Sequence, residues 1–271
     1  MTKNQDTTIQ LSIKKTASKP FLNVRKIGIV ARDYRIKFPN GYRDFSHILS
    51  KLIKQLDDDG IDTVLFSLFS IIPRKGYDCR KMFSGLKNIK AILVEEFQDG
   101  KTRVAGRYVT YYRTISGWKE NEFCQKFGTV TGMHRGEIDD FVNNEMPKRI
   151  MGNCSVLLCG ETNGVKYSKN DKKIHDSFGL LKAVPTNVKV ILNPIHDRMT
   201  RFEMKLKRRF LSQNKRWVIS VWNKGKQDKN GKTKDGIHTA WTVFYDGNEI
   251  DVPMISNEFG VEIGELNITG A

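Results

Sequence analysis

The chain has 271 residues, of which 39% are hydrophobic, 10% aromatic and 28% charged. That length suits one large domain or two small ones, and roughly 70–75% of the unfolded surface can be buried without a disulfide or metal staple. The net charge of +16, from 46 Lys+Arg against 30 Asp+Glu, attracts polyanions, and no apolar run approaches the roughly 18–20 residues of a membrane span.

Residues 1–20 are polar and carry four lysines, without the apolar core of a secretory signal. They read as a tail ahead of a single domain, 21–271. Residues 24–31 (VRKIGIVA) are apolar and β-branched, as in a buried strand. Phe45, Ile48, Leu49, Leu52, Ile53 and Leu56 then recur at helical spacing. Gly60 is placed to cap that helix in the left-handed region. Residues 63–69 (TVLFSLF) form the next strand, and strand–helix–strand predicts a βαβ unit with a parallel pair. Further strands are expected at 89–94, 104–112, 155–159, 188–192, 217–222 and 239–245. The last turns through Asp246-Gly247 into a partner at 249–252. A short helix around Ile138, Phe141 and Val142 should end near Pro147, another is expected at 174–183, and Phe202, Leu206 and Phe210 mark the apolar side of a basic helix. Interspersed strands and helices point to an α/β sandwich. No repeat or low-complexity linker divides the chain.

Four segments in order resemble the nitrilase (carbon–nitrogen hydrolase) superfamily: SVLLCGE at 155–161, VKVILNP at 188–194, KRRFLSQNKRWVISVWN at 207–223 and AWTVFYDGNEIDVP at 240–253. KIGIVA at 26–31 and GIDTVLF at 60–66 resemble the family's first βαβ unit. The resemblance implies a nitrilase-like α-β-β-α sandwich with mixed sheets. It also implies a small amide-type substrate, an amidase-type reaction and a homo-oligomer.

Family chemistry needs a cysteine nucleophile, a glutamate base that activates it and a lysine that stabilises the oxyanion. By the resemblance Cys159 is the nucleophile and Glu120 the auxiliary glutamate. Ser67 and Leu68 stand where the base belongs, and Thr114 where the lysine belongs, with Arg113 beside it as a substitute donor. Glu161, Glu95, Glu96 and Asp33 border expected strand ends and are candidates for a relocated base. The alternative is a nitrilase-like scaffold that has lost its triad and binds a partner, with nucleic acid as the candidate, through a basic face. Lys205, Arg208, Arg209, Lys224 and Lys226 are the residues expected there. Trp217 and Trp222 alternate with apolar residues on a strand and read as core.

Asp197, Glu203 and Lys205 have the letters of a metal-dependent nuclease, yet the Glu-x-Lys falls on a helix rather than a strand. The five histidines form no metal pair, and His196-Asp197 reads as a solvated loop. The four cysteines have no zinc or CxxC spacing, which fits reduced thiols in a cytoplasmic protein. There is no P-loop or dinucleotide fingerprint, so neither cofactor nor metal is expected.

Overall fold

The computed structural model describes residues 21–33, 35, 44–72, 78–97, 107–127, 135–196, 201–225, 230, 238–258 and 260–268. The first half runs β1 (Lys26–Arg32), α1 (Leu49–Asp58), β2 (Thr63–Phe66), α2 (Cys79–Met82), β3 (Ala91–Glu96), β4 (Arg107–Thr114), β5 (Gly117–Phe123) and α3 (Arg135–Asp140). After π and 3-10 turns at 141–149 come β6 (Ile150–Met151), β7 (Cys154–Val156), β8 (Lys166–Ser168), β9 (Lys173–His175) and α4 (Leu180–Ala183). The chain then forms β10 (Val190–Pro194), α5 (Phe202–Leu211), β11 (Trp217–Val221), β12 (Trp241–Tyr245), β13 (Asn248–Ile250), β14 (Met254–Glu258) and β15 (Val261–Asn267).

Two mixed sheets result. One has seven strands in the order β14-β15-β1-β2-β3-β4-β5, the other six in the order β13-β12-β11-β10-β7-β6. In each, three central strands are parallel: β1, β2 and β3 in the first, and β7, β10 and β11 in the second. Antiparallel strands complete both sheets.

Side chains alternate across a strand, and here that period divides the apolar residues into layers. Ile27, Ile29, Leu65, Leu93, Val156, Leu192, Ile219 and Val243 share one cluster, which therefore lies between the sheets. Val30, Val64, Phe66 and Ile92 face the other way, onto Leu49, Leu52, Ile53 and Leu56 of α1. Leu157, Ile191, Val218 and Phe244 face outward from the second sheet onto Ile138, Leu180 and Leu211 of α3, α4 and α5. Helix, sheet, sheet, helix is the four-layer sandwich expected from the sequence. Each fully buried Leu, Ile or Phe contributes about 1.5–3 kcal/mol to it.

The expected stripe of α1 is the buried one, and Gly60 has φ +74° just past the helix end. Asp57, in the last turn, accepts the backbone N–H groups of Lys87, Asn88 and Ile89 at 2.7–2.8 Å and so fixes the approach to β3. Burial alone would raise its pKa, but these donors outweigh that and lower it. Gly152 (φ +64°) lies where a Cβ would overlap the Leu22 carbonyl, so only glycine lets the segment before β1 cross there.

The structure differs from the sequence reading in several places. The helix expected at 174–183 is confined to α4, Leu180–Ala183, because Lys173–His175 pairs as β9 with β8. α5 turns Lys207, Arg208 and Leu211 inward, while Phe202 is 68% exposed, because the helix packs by the face that reaches polar strand groups. β5 forms between the strands expected at 104–112 and 155–159, where no strand was assigned from the sequence: it is an edge strand, and none of its residues is fully buried. β14 and β15 lie in a region assigned no strand, yet β15 pairs with β1 in the middle of the first sheet.

Candidate active site

The carboxyl-terminal ends of the two parallel triads meet at one edge of the sandwich. Asp33, just beyond β1, bridges to Lys224, just beyond β11, whose N–H donates to the Arg32 carbonyl at 2.7 Å. Asn223 joins three strands: its Oδ1 accepts from Arg32 N at 3.0 Å and from Ser67 Oγ, and its Nδ2 donates to the Leu68 carbonyl at 2.7 Å. Ligand sites of α/β folds gather outside such strand ends.

Cys159 lies here, three residues beyond β7. The chain is held in a tight turn by Glu161 N donating to the Leu158 carbonyl at 2.9 Å and by Leu158 N donating to Glu161 Oε2 at 2.8 Å. Glu161 is fully buried. Its carboxylate pairs with Arg149 through both guanidinium ends, at 2.7 and 3.0 Å, and also takes Lys126 N at 3.0 Å. Arg149 in turn stacks on Phe123 at 4.6 Å and donates to the Cys124 carbonyl at 2.9 Å. A bidentate buried pair is rigid, so Glu161 anchors the Cys159 loop and brings residues 123–127, at the end of β5, against it.

The sulfur is half-buried and accepts the backbone N–H of His196 at 3.4 Å. His196 follows β10, two residues past the Asn193-Pro194 that closes that strand. Its imidazole hydrogen-bonds Cys159 and lies on its Nε2 side 3.6 Å from Oε2 of Glu95, at the end of β3. Glu95 is buried, and the same oxygen takes the backbone N–H of Phe69 at 2.5 Å. Burial alone would lower the His196 pKa. The hydrogen bonds and charges of Cys159 and Glu95 outweigh it and raise the imidazole to about 9.

Behind this group lies Arg208, wholly buried on α5. Its guanidinium donates to Ser220 Oγ at 2.7 Å, Asn193 Oδ1 at 2.8 Å and the Met204 carbonyl at 3.0 Å, all uncharged acceptors. Burial pushes its pKa down to about 10, and charge on Cys159 works in the opposite direction. Asn193 Nδ2 donates to the Leu157 carbonyl at 2.5 Å, which ties Arg208 to the segment that carries the cysteine.

Of the residues singled out in the sequence, Cys159 and Glu95 come together at this edge. Glu161 is nearby in the chain but committed to Arg149. Glu120 is exposed on β5, on the same face as Trp118 and 3.7 Å from Arg107; that face turns to the outer layer, away from the cluster that holds Cys159. Arg113 donates to the carbonyls of Leu86 and Lys87, before β3 begins, at the opposite end of the strand from Glu95. Glu96 is paired with Arg107 at 2.7 Å and Asp33 with Arg35 at 2.8 Å. The segment from the β4–β5 hairpin that reaches Cys159 is thus the end of β5, not Arg113 and Thr114 at the end of β4.

The basic face is also redistributed. Arg208 is core, and Lys224 is buried 2.6 Å from Glu262, so neither lies on a surface open to nucleic acid. Lys205 pairs with Glu249 at 2.7 Å and Arg209 is exposed. Lys226 and Asp197 lie outside the described residues. Trp217 and Trp222 are buried. Among the described residues no group of His, Cys, Asp and Glu is arranged to hold a metal ion, and no helix is long and apolar enough to cross a membrane. His196, read from the sequence as part of a solvated loop, is instead largely enclosed, because its partners Cys159 and Glu95 come from other segments.

No family model and no curated protein matches this chain. Among solved structures it is similar to a carbon–nitrogen hydrolase from Helicobacter pylori G27, at 10% identity over 90% of this chain and 89% of that one, with a TM-score of 0.47. It is also similar to XC1258 from Xanthomonas campestris, described as a CN-hydrolase superfamily protein with an arsenic adduct in the active site. That match has 12% identity over 92% of both chains and a TM-score of 0.47.

Proposed function

We propose that this chain is a carbon–nitrogen hydrolase of the amidase type in which Cys159 is the nucleophile, His196 moves the proton and Glu95 orients the imidazole. The observation that carries the reading is the His196 imidazole set between the Cys159 sulfur and the Glu95 carboxylate, 3.6 Å from the latter. With its pKa raised to about 9, His196 is an imidazolium at neutral pH. A cation beside a sulfur favours the thiolate, the attacking form. The thiolate adds to the amide carbon, the C–N bond breaks, and the amine leaves with the imidazolium proton. Neutral His196 then takes a proton from water as its oxygen adds to the thioester. The C–S bond breaks, and the acid product leaves a thiolate and an imidazolium. Glu95 holds the ring throughout, a base–orienter arrangement that does not depend on chain order.

The test has two readouts. Iodoacetamide at neutral pH should alkylate Cys159 faster than Cys124, although Cys124 is the exposed thiol. A panel of small aliphatic and aromatic amides should release ammonia with the native chain and not with Cys159→Ser. Slower alkylation of Cys159 than of Cys124, together with no ammonia from any amide, would remove the proposal.

A further inference from the structure

Phe69 has φ +59°, in the left-handed region. Few non-glycine residues adopt it, and for a bulky side chain it is an outlier that the surroundings must enforce. The residue lies three positions past the end of β2, at the edge where the site forms. Its two halves engage the two partners of the imidazole system. The backbone N–H donates to Glu95 Oε2 at 2.5 Å, the oxygen that faces His196. The ring packs on the His196 ring, with centroids 4.4 Å apart, and is braced edge-on by Phe97 at 5.4 Å. With the preceding chain held, an extended φ would leave the N–H in place but swing the ring away from His196, because φ is the rotation about the N–Cα bond. A glycine would keep the N–H but lose the ring.

We infer that Phe69 is a positioning residue for the His196–Glu95 pair: its unfavourable φ places the ring to clamp the imidazole against rotation while its own N–H meets the carboxylate. The inference rests on the reading of His196 as the proton carrier for Cys159. It adds a residue that acts through the imidazole and its carboxylate, and it accounts for an aromatic residue at a position where glycine would be unstrained.

The experiment compares the native chain with Phe69→Gly, Phe69→Leu and Phe69→Tyr. Three quantities are measured: the His196 titration midpoint by imidazole NMR, the rate of Cys159 alkylation at pH 7, and the thermal midpoint. Phe69→Gly should unfold at the same temperature as the native chain or higher. Its His196 midpoint should fall by about one pH unit or more, and its Cys159 alkylation rate should fall with it, because a ring no longer held against the sulfur stabilises the thiolate less. Phe69→Leu, which keeps the strain without the flat ring, should show the same losses at a lower thermal midpoint. Phe69→Tyr should stay within about twofold of native alkylation, because the stacking face is retained. Glycine and leucine variants with native His196 midpoints and alkylation rates would overturn the inference and leave Phe69 a turn residue only. These readouts need no substrate, so a chain that cleaves no amide would defeat the hydrolase reading without deciding this one.

Discussion

The two sheets are built alike and contribute unlike chemistry. Each has three central parallel strands, antiparallel strands beside them and helices on its outer face. Where their ends meet, the first sheet supplies acids, Glu95 and Glu262, and the second supplies cations, His196 and Lys224. The second sheet also supplies the sulfur. The contacts His196–Glu95 and Lys224–Glu262 therefore cross between sheets. Strand scaffold and strand-end chemistry are separable, and the site exists only when the sheets are docked.

The comparison breaks most sharply at His196. Replacing it with alanine should lower amide turnover by about 10²–10⁴-fold, while the same change at exposed His175 should leave turnover within twofold by steady-state kinetics. Equal losses would mean that the inter-sheet position is not special.

Lys224→Met comes next. It leaves Glu262 buried without its cation, which costs about 3–5 kcal/mol, whereas changing both partners to apolar residues of similar size restores most of that stability. Urea unfolding of the single and double variants measures it. A single variant as stable as native would show that Glu262 has another partner.

Within the first sheet, Asp57→Ala should cost about 1–3 kcal/mol, since buried N–H groups lose their acceptor. The Asp57 pKa is lowered in the folded state. Its contribution is therefore fully present above the ordinary carboxylate range and is lost as pH falls through the depressed folded value. The variant should accordingly lose the part of the acid sensitivity that Asp57 carries.

The sign is opposite for His196. Its folded pKa of about 9 exceeds the ordinary 6.5, so the stability it lends is complete below about 6.5 and disappears as pH rises to about 9. Turnover should decline over the alkaline part of that window as the imidazolium is lost. A His196→Ala chain should lack this alkaline loss of stability. The smallest effect belongs to the exposed pair on α5 and β13: Lys205→Ala should change stability by less than about 1 kcal/mol.

Much of the sandwich was legible because burial on both faces leaves a local trace. VRKIGIVA, TVLFSLF and WVISVW are apolar runs, and the α1 stripe repeats at 3.6 residues. Strands whose partners are remote left less. β15 reads VEIGELN and carries Glu262 and Glu265; it lies inside the sheet, between β14 and β1, where it gives β1 a second neighbour and Lys224 a counter-charge. α5 was read by its aromatic residues, but Arg208 won the inner face because Ser220 and Asn193 offered acceptors there.

The sequence by itself determined the layers, most of the buried strands in chain order and the position of Cys159 just beyond a strand, since periodicity and turn residues act within a few neighbours. Tertiary structure alone decided which acid and which imidazole face the sulfur. His196 lies 37 residues and Glu95 64 residues from Cys159 along the chain, and only the packing of one sheet on the other brings Glu95 within 3.6 Å of the imidazole beside the sulfur. Local pattern carries no record of such a distance, because nothing in the chain between those residues fixes it.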